Sequence, residues 1–345
     1  MLDDQGYVTN LDPSNALGII AAQPAQLRLK LTFSSFELDI DNIVVTGMGG
    51  SALGAEFIRS YLSDRLPVPL SIVRDYTLPA FVGPKTLLIA SSYSGNTEET
   101  ITALAQAKQV KAKIVVQSSG GKLAEIAQAE GYPHILFPGG FQPRLAVLFQ
   151  VRALAVIFES AGLVSGILEE LEMAANWVEG KIGKWVLESP ESDNPAKQLA
   201  EHLVGKTIVV YGGPTLWLPT MKWKIDFNEN SKNVASFYHL PEFSHNEYTG
   251  WLFPNTKNIG VIELMSNLDV PHISRRFRIS NRLLSGKMPK PFIVSAEGET
   301  KLQQMLWTVL LGDFVSAYLA FLNGIDPTPV NLVESLKKEL AKEDS

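Results

Sequence analysis

The stretch NIVVTGMGGSALG, residues 42–54, decides the fold. Its apolar residues are consecutive rather than alternating, the pattern of a strand buried on both faces of a parallel sheet. The run ends in glycines, and ALGAEFIRSYL, 52–62, then carries helical spacing. The same alternation continues outward. Strands are expected at 70–76, 85–94 and 112–119, with helices at 97–110 and 122–131 between and after them. Before it, residues 13–33 read as one or two short helices broken near Pro24, and after it 144–187 are mostly helical. The polar ESPESDNP of 188–195 reads as a connection. KTIVVYGGP, 206–214, then repeats the strand–Gly–Gly–helix plan, with further strands at 234–239, 258–264 and 291–296 and helices at 301–323 and 329–342. Gly49–Gly50 and Gly212–Gly213 thus hint at a duplicated α/β domain.

Composition bounds the function. A chain of 345 residues has room for about two domains. It is 46% hydrophobic and 19% charged, which excludes a disordered protein. The net charge of −6 argues against duplex nucleic acid or an anionic membrane as partner, and neither a helix-turn-helix extension nor a basic patch is expected. With no cysteine there is no disulfide, zinc–thiolate site or thiol nucleophile. The five histidines show no metal-ligand pairing, so no metal is expected. The N-terminal MLDDQGYVTNLDPSN does not read as a signal peptide, and a cytoplasmic protein is the expectation. Met305–Leu322 is apolar enough to span a bilayer, but Gly312 and Asp313 in its middle favour a buried core helix.

Two loops carry chemistry. In VVTGMGGSALG, 44–54, glycines at a strand's carboxyl end let a ligand approach the backbone, and the following helix offers N–H groups and a positive dipole end. A bare strand-to-helix turn would look the same, and Gly47-x-Gly49-x-x-Ala52 with Asp75 also meets the loose dinucleotide fingerprint. SSYSGNTEET, 91–100, packs Ser91, Ser92, Ser94 and Thr97 around one glycine. A capping box of Asn96 and Glu99 explains one or two of these polar residues but not their density. Together the loops form an uncharged cradle for a phosphate monoester, the candidates being Gly50, Ser51, Ser92, Ser94 and Thr97.

GMGGSALG followed by SYSGNTEET resembles the sugar isomerase (SIS) superfamily. NENSK at 228–232, PEFSHNEYTGW at 241–251, QPR at 142–144 and the DPTPV…LKKEL ending are similar to the bifunctional phosphoglucose/phosphomannose isomerase family. The resemblance implies an α/β fold of two SIS domains, each a parallel sheet between helix layers. Residues 1–160 would hold the phosphate loops, 161–198 a helical connection and 199–345 the catalytic residues. It also implies a homodimer acting on hexose 6-phosphates without a cofactor.

Aldose–ketose isomerisation needs a carboxylate base, a ring-opening group and a cation near the enediolate oxygen. Glu229 is the candidate base, on a segment rich in Trp, Ile and Phe where partial desolvation would raise its pKa. His245, in a loop-like Ser-His-Asn-Glu, would assist ring opening by resemblance, with Glu247 orienting it or standing in as base. The resemblance gives Arg144 the enediolate, although an arginine at a helix start is usually a solvated residue. On the last helix Val330, Val333, Lys337 and Leu340 share a face, which selects Lys337 over Lys338 as the ring-opening lysine that the family places there. Thr328 would orient substrate. A sugar-phosphate-binding regulator without turnover is the alternative. A glutamine-dependent aminotransferase lacks its N-terminal cysteine, and a nucleotide-dependent oxidoreductase gives no reason for the second loop.

Overall fold

The computed structural model describes residues 1–33, 39–253 and 258–343. In chain order the elements begin with α1 (Gln5–Leu11), α2 (Ala16–Ala22), β1 (Asn42–Thr46), α3 (Gly50–Tyr61), β2 (Leu70–Val73), β3 (Thr86–Ser92) and α4 (Glu98–Gln109). There follow β4 (Lys113–Ser118), α5 (Gly121–Glu130), β5 (His134–Leu136), α6 (Val147–Ser160) and α7 (Ile167–Ile182). The second half holds α8 (Pro195–Leu203), β6 (Thr207–Gly212), α9 (Trp217–Glu229), β7 (Ala235–His239), α10 (Phe243–Gly250) and β8 (Ile259–Met265). It closes with α11 (Pro271–Leu283), β9 (Phe292–Ser295), α12 (Lys301–Leu322) and α13 (Asn331–Glu343).

The first sheet is wholly parallel, in the order β2-β1-β3-β4-β5. All seven residues of β3 and four of five in β1 are buried, as continuous apolar runs require. Val44, Leu88, Ala90 and Val116 pack with Leu104 and Ala107 of α4 and Leu123 and Ala127 of α5. The second sheet, β7-β6-β8-β9, is also parallel and repeats the order of the first four strands. The duplication hinted at by the two Gly–Gly turns is therefore present in the topology. Strand 70–76 proves shorter, Leu70–Val73, and residues 23–28 form a 3-10 turn rather than an α-helix.

The chain divides into two compact units that are not contiguous in sequence. One comprises Ala22–Gly180 with Gly298–Leu306; the other Met1–Ala21, Lys181–Glu297 and Trp307–Ser345. This differs from a division into 1–160, 161–198 and 199–345, for local reasons. Helix α7 is tied into the first unit by Arg28–Glu179, Arg152–Glu172 and the Tyr61 hydroxyl on Glu170. Helix α1 joins the second through Asp3–Lys197 and the Tyr7 hydroxyl on the Phe321 carbonyl.

Helix α12 is a core helix, as its central aspartate indicates: 94% of its most apolar window is buried. Asp313 is fully buried against the Lys222 ammonium, with Nζ 2.5 Å from Oδ1. The expectation of no basic patch fails on α11. Its period buries Ile273, Phe277, Ser280 and Leu284 and turns Arg275, Arg278 and Arg282 to solvent, a concentration that net charge averages away.

On β8 the Glu263 carboxyl is 2% exposed and accepts one hydrogen bond from Asn281 Nδ2 at 2.8 Å. Burial pushes it up to about 7, and the Asn281 bond only partly offsets this. A carboxyl raised on folding favours the native state while protonated. That contribution is complete below its unfolded value of 4.5 and is lost as pH rises through about 7. Relative to Glu263→Gln, the wild type should lose about 3 kcal/mol of stability between these limits. Urea unfolding of both proteins from pH 4.5 to 8 measures the difference.

Candidate functional site

In a sheet of order 2-1-3-4-5, the chain crosses to opposite sides after β1 and after β3, leaving a crevice at their carboxyl ends. Helices α3 and α4 both begin at that crevice. Helix α3 has no acidic residue in its first turn, so its dipole faces the crevice unopposed. Helix α4 carries Glu98 and Glu99 there, so its contribution to holding an anion rests on hydroxyls rather than on field.

Those hydroxyls form one connected set. Ser51 Oγ accepts from the Tyr93 N–H at 2.8 Å and so couples α3 to the β3–α4 loop. Ser92 Oγ and Thr97 Oγ1 lie 2.7 Å apart, and Ser92 Oγ also accepts from the Gly95 N–H. The loop's path requires Gly95. Its φ is +72°, and a Cβ there would fall 1.8 Å from the Gly120 carbonyl oxygen. Ser94 is exposed and accepts from the Asn96 N–H at 3.3 Å. No capping box forms. Thr97 holds the N-cap position without a side-chain cap bond, and Asn96 Oδ1 instead accepts from the Lys122 N–H at the start of α5.

Beneath this surface lies a polar layer that sequence reading missed. Gln117 Nε2 donates to Ser91 Oγ at 2.8 Å, and Ser91 Oγ lies 3.3 Å from the Ser51 carbonyl oxygen, with Gln150 Oε1 also near. A glutamine directly after the apolar Ile114–Val116 run of β4 was the available signal. The QPR segment joins the same place. A Cβ at Gly50 would lie 2.7 Å from the Pro143 carbonyl, so glycine admits that backbone against the first turn of α3. Arg144 sits here on a 3-10 turn, 1% exposed, with Nη1 on Gln142 Oε1 at 3.3 Å. The ordinary reading of a solvated arginine is thereby excluded. The first unit thus brings together Gly50, Ser51, Ser92, Ser94, Thr97 and Arg144.

The second unit holds the other candidates on three helices. Glu229 is the last residue of α9 and half-buried. Its carbonyl accepts from Lys232 Nζ at 2.6 Å, which also reaches the Pro327 carbonyl at 3.0 Å, one residue from Thr328. Asn230 Nδ2 donates to Ser316 Oγ on α12. His245 is exposed in the first turn of α10 and is therefore helical, not loop-like. Glu247 does not orient it: its carboxylate accepts from the Tyr211 hydroxyl at 2.7 Å. Lys337 pairs with Glu334 at 2.8 Å on α13, and the face it shares with Val333 and Leu340 lies in solvent rather than against a core.

Residues 38–127 match the SIS domain family, and 192–340 match the bacterial phospho-glucose isomerase C-terminal SIS domain family. A bifunctional phosphoglucose/phosphomannose isomerase of Caldicellulosiruptor bescii is 38% identical over 88% of this chain and 91% of its own. The chain belongs to the bifunctional phosphoglucose/phosphomannose isomerase family. Another member, from Aquifex aeolicus, is 37% identical over 87% of this chain and 90% of its own. The fold is also that of a glucose-6-phosphate isomerase-like protein of Thermus thermophilus. Its TM-score is 0.65 at 16% identity, covering 98% of each chain. Both SIS domains of the isomerase family are thus present. The hydroxyl-lined crevice lies in the first, and the NENSK and SHNE segments lie within the C-terminal domain match.

Proposed function

We propose that this isomerase-family chain interconverts glucose 6-phosphate and mannose 6-phosphate with fructose 6-phosphate through an enediolate. The reading is carried by the crevice between β1 and β3, where an unopposed helix N-terminus and the Ser51–Ser92–Thr97 hydroxyls suit a phosphate monoester.

The reaction begins with ring opening. His245 and Lys337 serve the ring oxygen and the anomeric hydroxyl, delivering a proton to the one and taking it from the other. Glu229 then removes the C2 proton of the open aldose, and the electron pair passes through the C1–C2 bond onto the carbonyl oxygen. Arg144 stabilises that oxyanion with the delocalised charge of its guanidinium. The O2 proton passes to O1, the proton on Glu229 returns to C1 and the O2 electron pair closes the C2 carbonyl, giving the ketose with no net redox change. Rotation about C2–C3 lets the same base meet either C2 epimer.

A homodimer completes the proposal. Along α13, Leu332 is 88% exposed and Leu336 60%, with Val333 and Leu340 also in solvent, a face that a second copy would cover.

The test is interconversion of the three sugar phosphates by the purified protein in excess EDTA. Ser92→Ala with Thr97→Val should raise KM about tenfold to a hundredfold with a smaller change in kcat, because two hydroxyls to a charged group are lost. Binding of sugar phosphate without turnover in the wild type would favour the regulator instead.

A further inference from the structure

Within SSYSGNTEET, Tyr93 separates Ser92 from Ser94 and is the one aromatic residue. Its backbone belongs to the phosphate crevice, since its N–H donates to Ser51 Oγ at 2.8 Å. Its side chain is buried against a different segment, with the ring stacked on Phe137 at 5.9 Å between centroids. Core packing accounts for that ring, and a phenylalanine would serve it equally. Packing does not account for the hydroxyl.

The hydroxyl makes two hydrogen bonds, both to one loop. It donates to the Pro138 carbonyl at 3.1 Å and accepts from the Phe141 N–H at 2.9 Å. Burial raises its pKa, so the proton needed for the first bond is kept. The loop needs such a fastening. Pro138, Gly139 and Gly140 are exposed, and Gly140 has a φ of +92°, so little in the segment's own sequence fixes its path. Arg144 follows directly. Gln142, next to Phe141, accepts from Arg144 Nη1 through Oε1 at 3.3 Å. The Gln142 carbonyl accepts from the Leu145 N–H at 2.9 Å and so closes the turn on which Arg144 sits. A path of covalent and hydrogen bonds thus runs from Ser51 through Tyr93 to the Arg144 turn, all inside one unit.

We propose that Tyr93 is a positioning residue: its hydroxyl ties the loop that holds the phosphate to the turn that sets the Arg144 guanidinium. The proposal rests on the isomerase reading, in which those two groups hold opposite ends of one substrate. Phosphate orders the first loop, and the Tyr93 hydroxyl carries that order to the second. Binding energy from the non-reacting end of the sugar then fixes the cation at the reacting end.

Kinetics and hydrogen exchange of the full-length protein test this. Tyr93→Phe keeps the ring and removes the hydroxyl alone. It should lower kcat for glucose 6-phosphate about tenfold to a hundredfold while KM stays within about threefold, because the phosphate loop is intact and the cation is misplaced. In an Arg144→Gln background the same change should cost less than about threefold more, since the group it positions is gone. A merely structural loss would lower thermal stability without splitting kcat from KM or fading in that background. Fructose 6-phosphate should slow amide exchange at 92–97 and at 139–145 in the wild type, and at 92–97 only in Tyr93→Phe. An unchanged kcat, losses that multiply in the double variant, or protection of 139–145 that survives without the hydroxyl would overturn the proposal. Wild-type kcat in Arg144→Gln would instead strike the oxyanion assignment in the isomerase reading, and the exchange result, which needs no turnover, would still decide the link.

Discussion

Glu229→Gln lowers kcat for glucose 6-phosphate isomerisation by about 10³–10⁴-fold while KM changes little, since the carboxamide keeps the shape and loses only the capacity to take a proton. The residue's place gives the prediction its force. It ends a helix anchored one turn back by Asp226 and one residue on by the Asn230–Ser316 bond, and Lys232 holds its carbonyl. A carboxylate at so fixed a point is suited to work at two adjacent carbons without moving its backbone. Glu247 is the control. Its carboxylate is already engaged by Tyr211, so Glu247→Gln should leave kcat within a few-fold of wild type. Incorporation of solvent deuterium at C1 or C2, followed by NMR, separates proton abstraction from ring opening. Full exchange in Glu229→Gln, or its loss in Glu247→Gln alone, would reassign the base.

How far the sequence discloses this arrangement depends on the range over which each signal acts. Both sheets are legible because strands buried on two faces are continuously apolar, and the loops after β1 and β3 because glycine and hydroxyl residues crowd where a helix begins. The burial of Arg144 is not legible. It follows from the close approach of Pro143 to Gly50, two segments that only the packing of the turn against α3 brings together. The partner of Glu247 was missed for the same reason, since Tyr211 lies 36 residues away on β6. Lys337 shows a different limit. Helical periodicity reports which residues share a face but not what covers that face, and on α13 it lies open. The basic face of α11 was readable from PHISRRFRISNRL by periodicity alone. Net charge, taken over the whole chain, concealed it.

A pairing of similarly long range leads to the second large effect. Lys222 and Asp226 are neighbours on α9, and Asp313 lies 91 residues from Lys222, on α12. All three side chains are fully buried, and the ammonium reaches both carboxylates, at 2.9 Å and 2.5 Å. Burial, reinforced by Asp313, holds the Asp226 carboxyl well above the usual range, which favours its neutral form beside the Lys222 ammonium. Lys222→Met removes the ammonium that both carboxylates share and leaves two carboxyls facing each other out of water. The expected cost is about 3–5 kcal/mol, the penalty for stranding a buried charge. Asp226→Asn removes a group that is already largely neutral and should cost far less, about 1 kcal/mol. The triple change Lys222→Met/Asp226→Leu/Asp313→Leu, which strands nothing, should recover most of the loss, since well-packed apolar groups often match a buried ion cluster. Urea midpoints at pH 7 order the variants, and hydrogen exchange on α9 and α12 locates the effect. If Lys222→Met unfolded at the wild-type midpoint, the cluster would not be what joins these helices, and the anchoring of Glu229 would have to come from Lys232 and the Asn230–Ser316 bond alone.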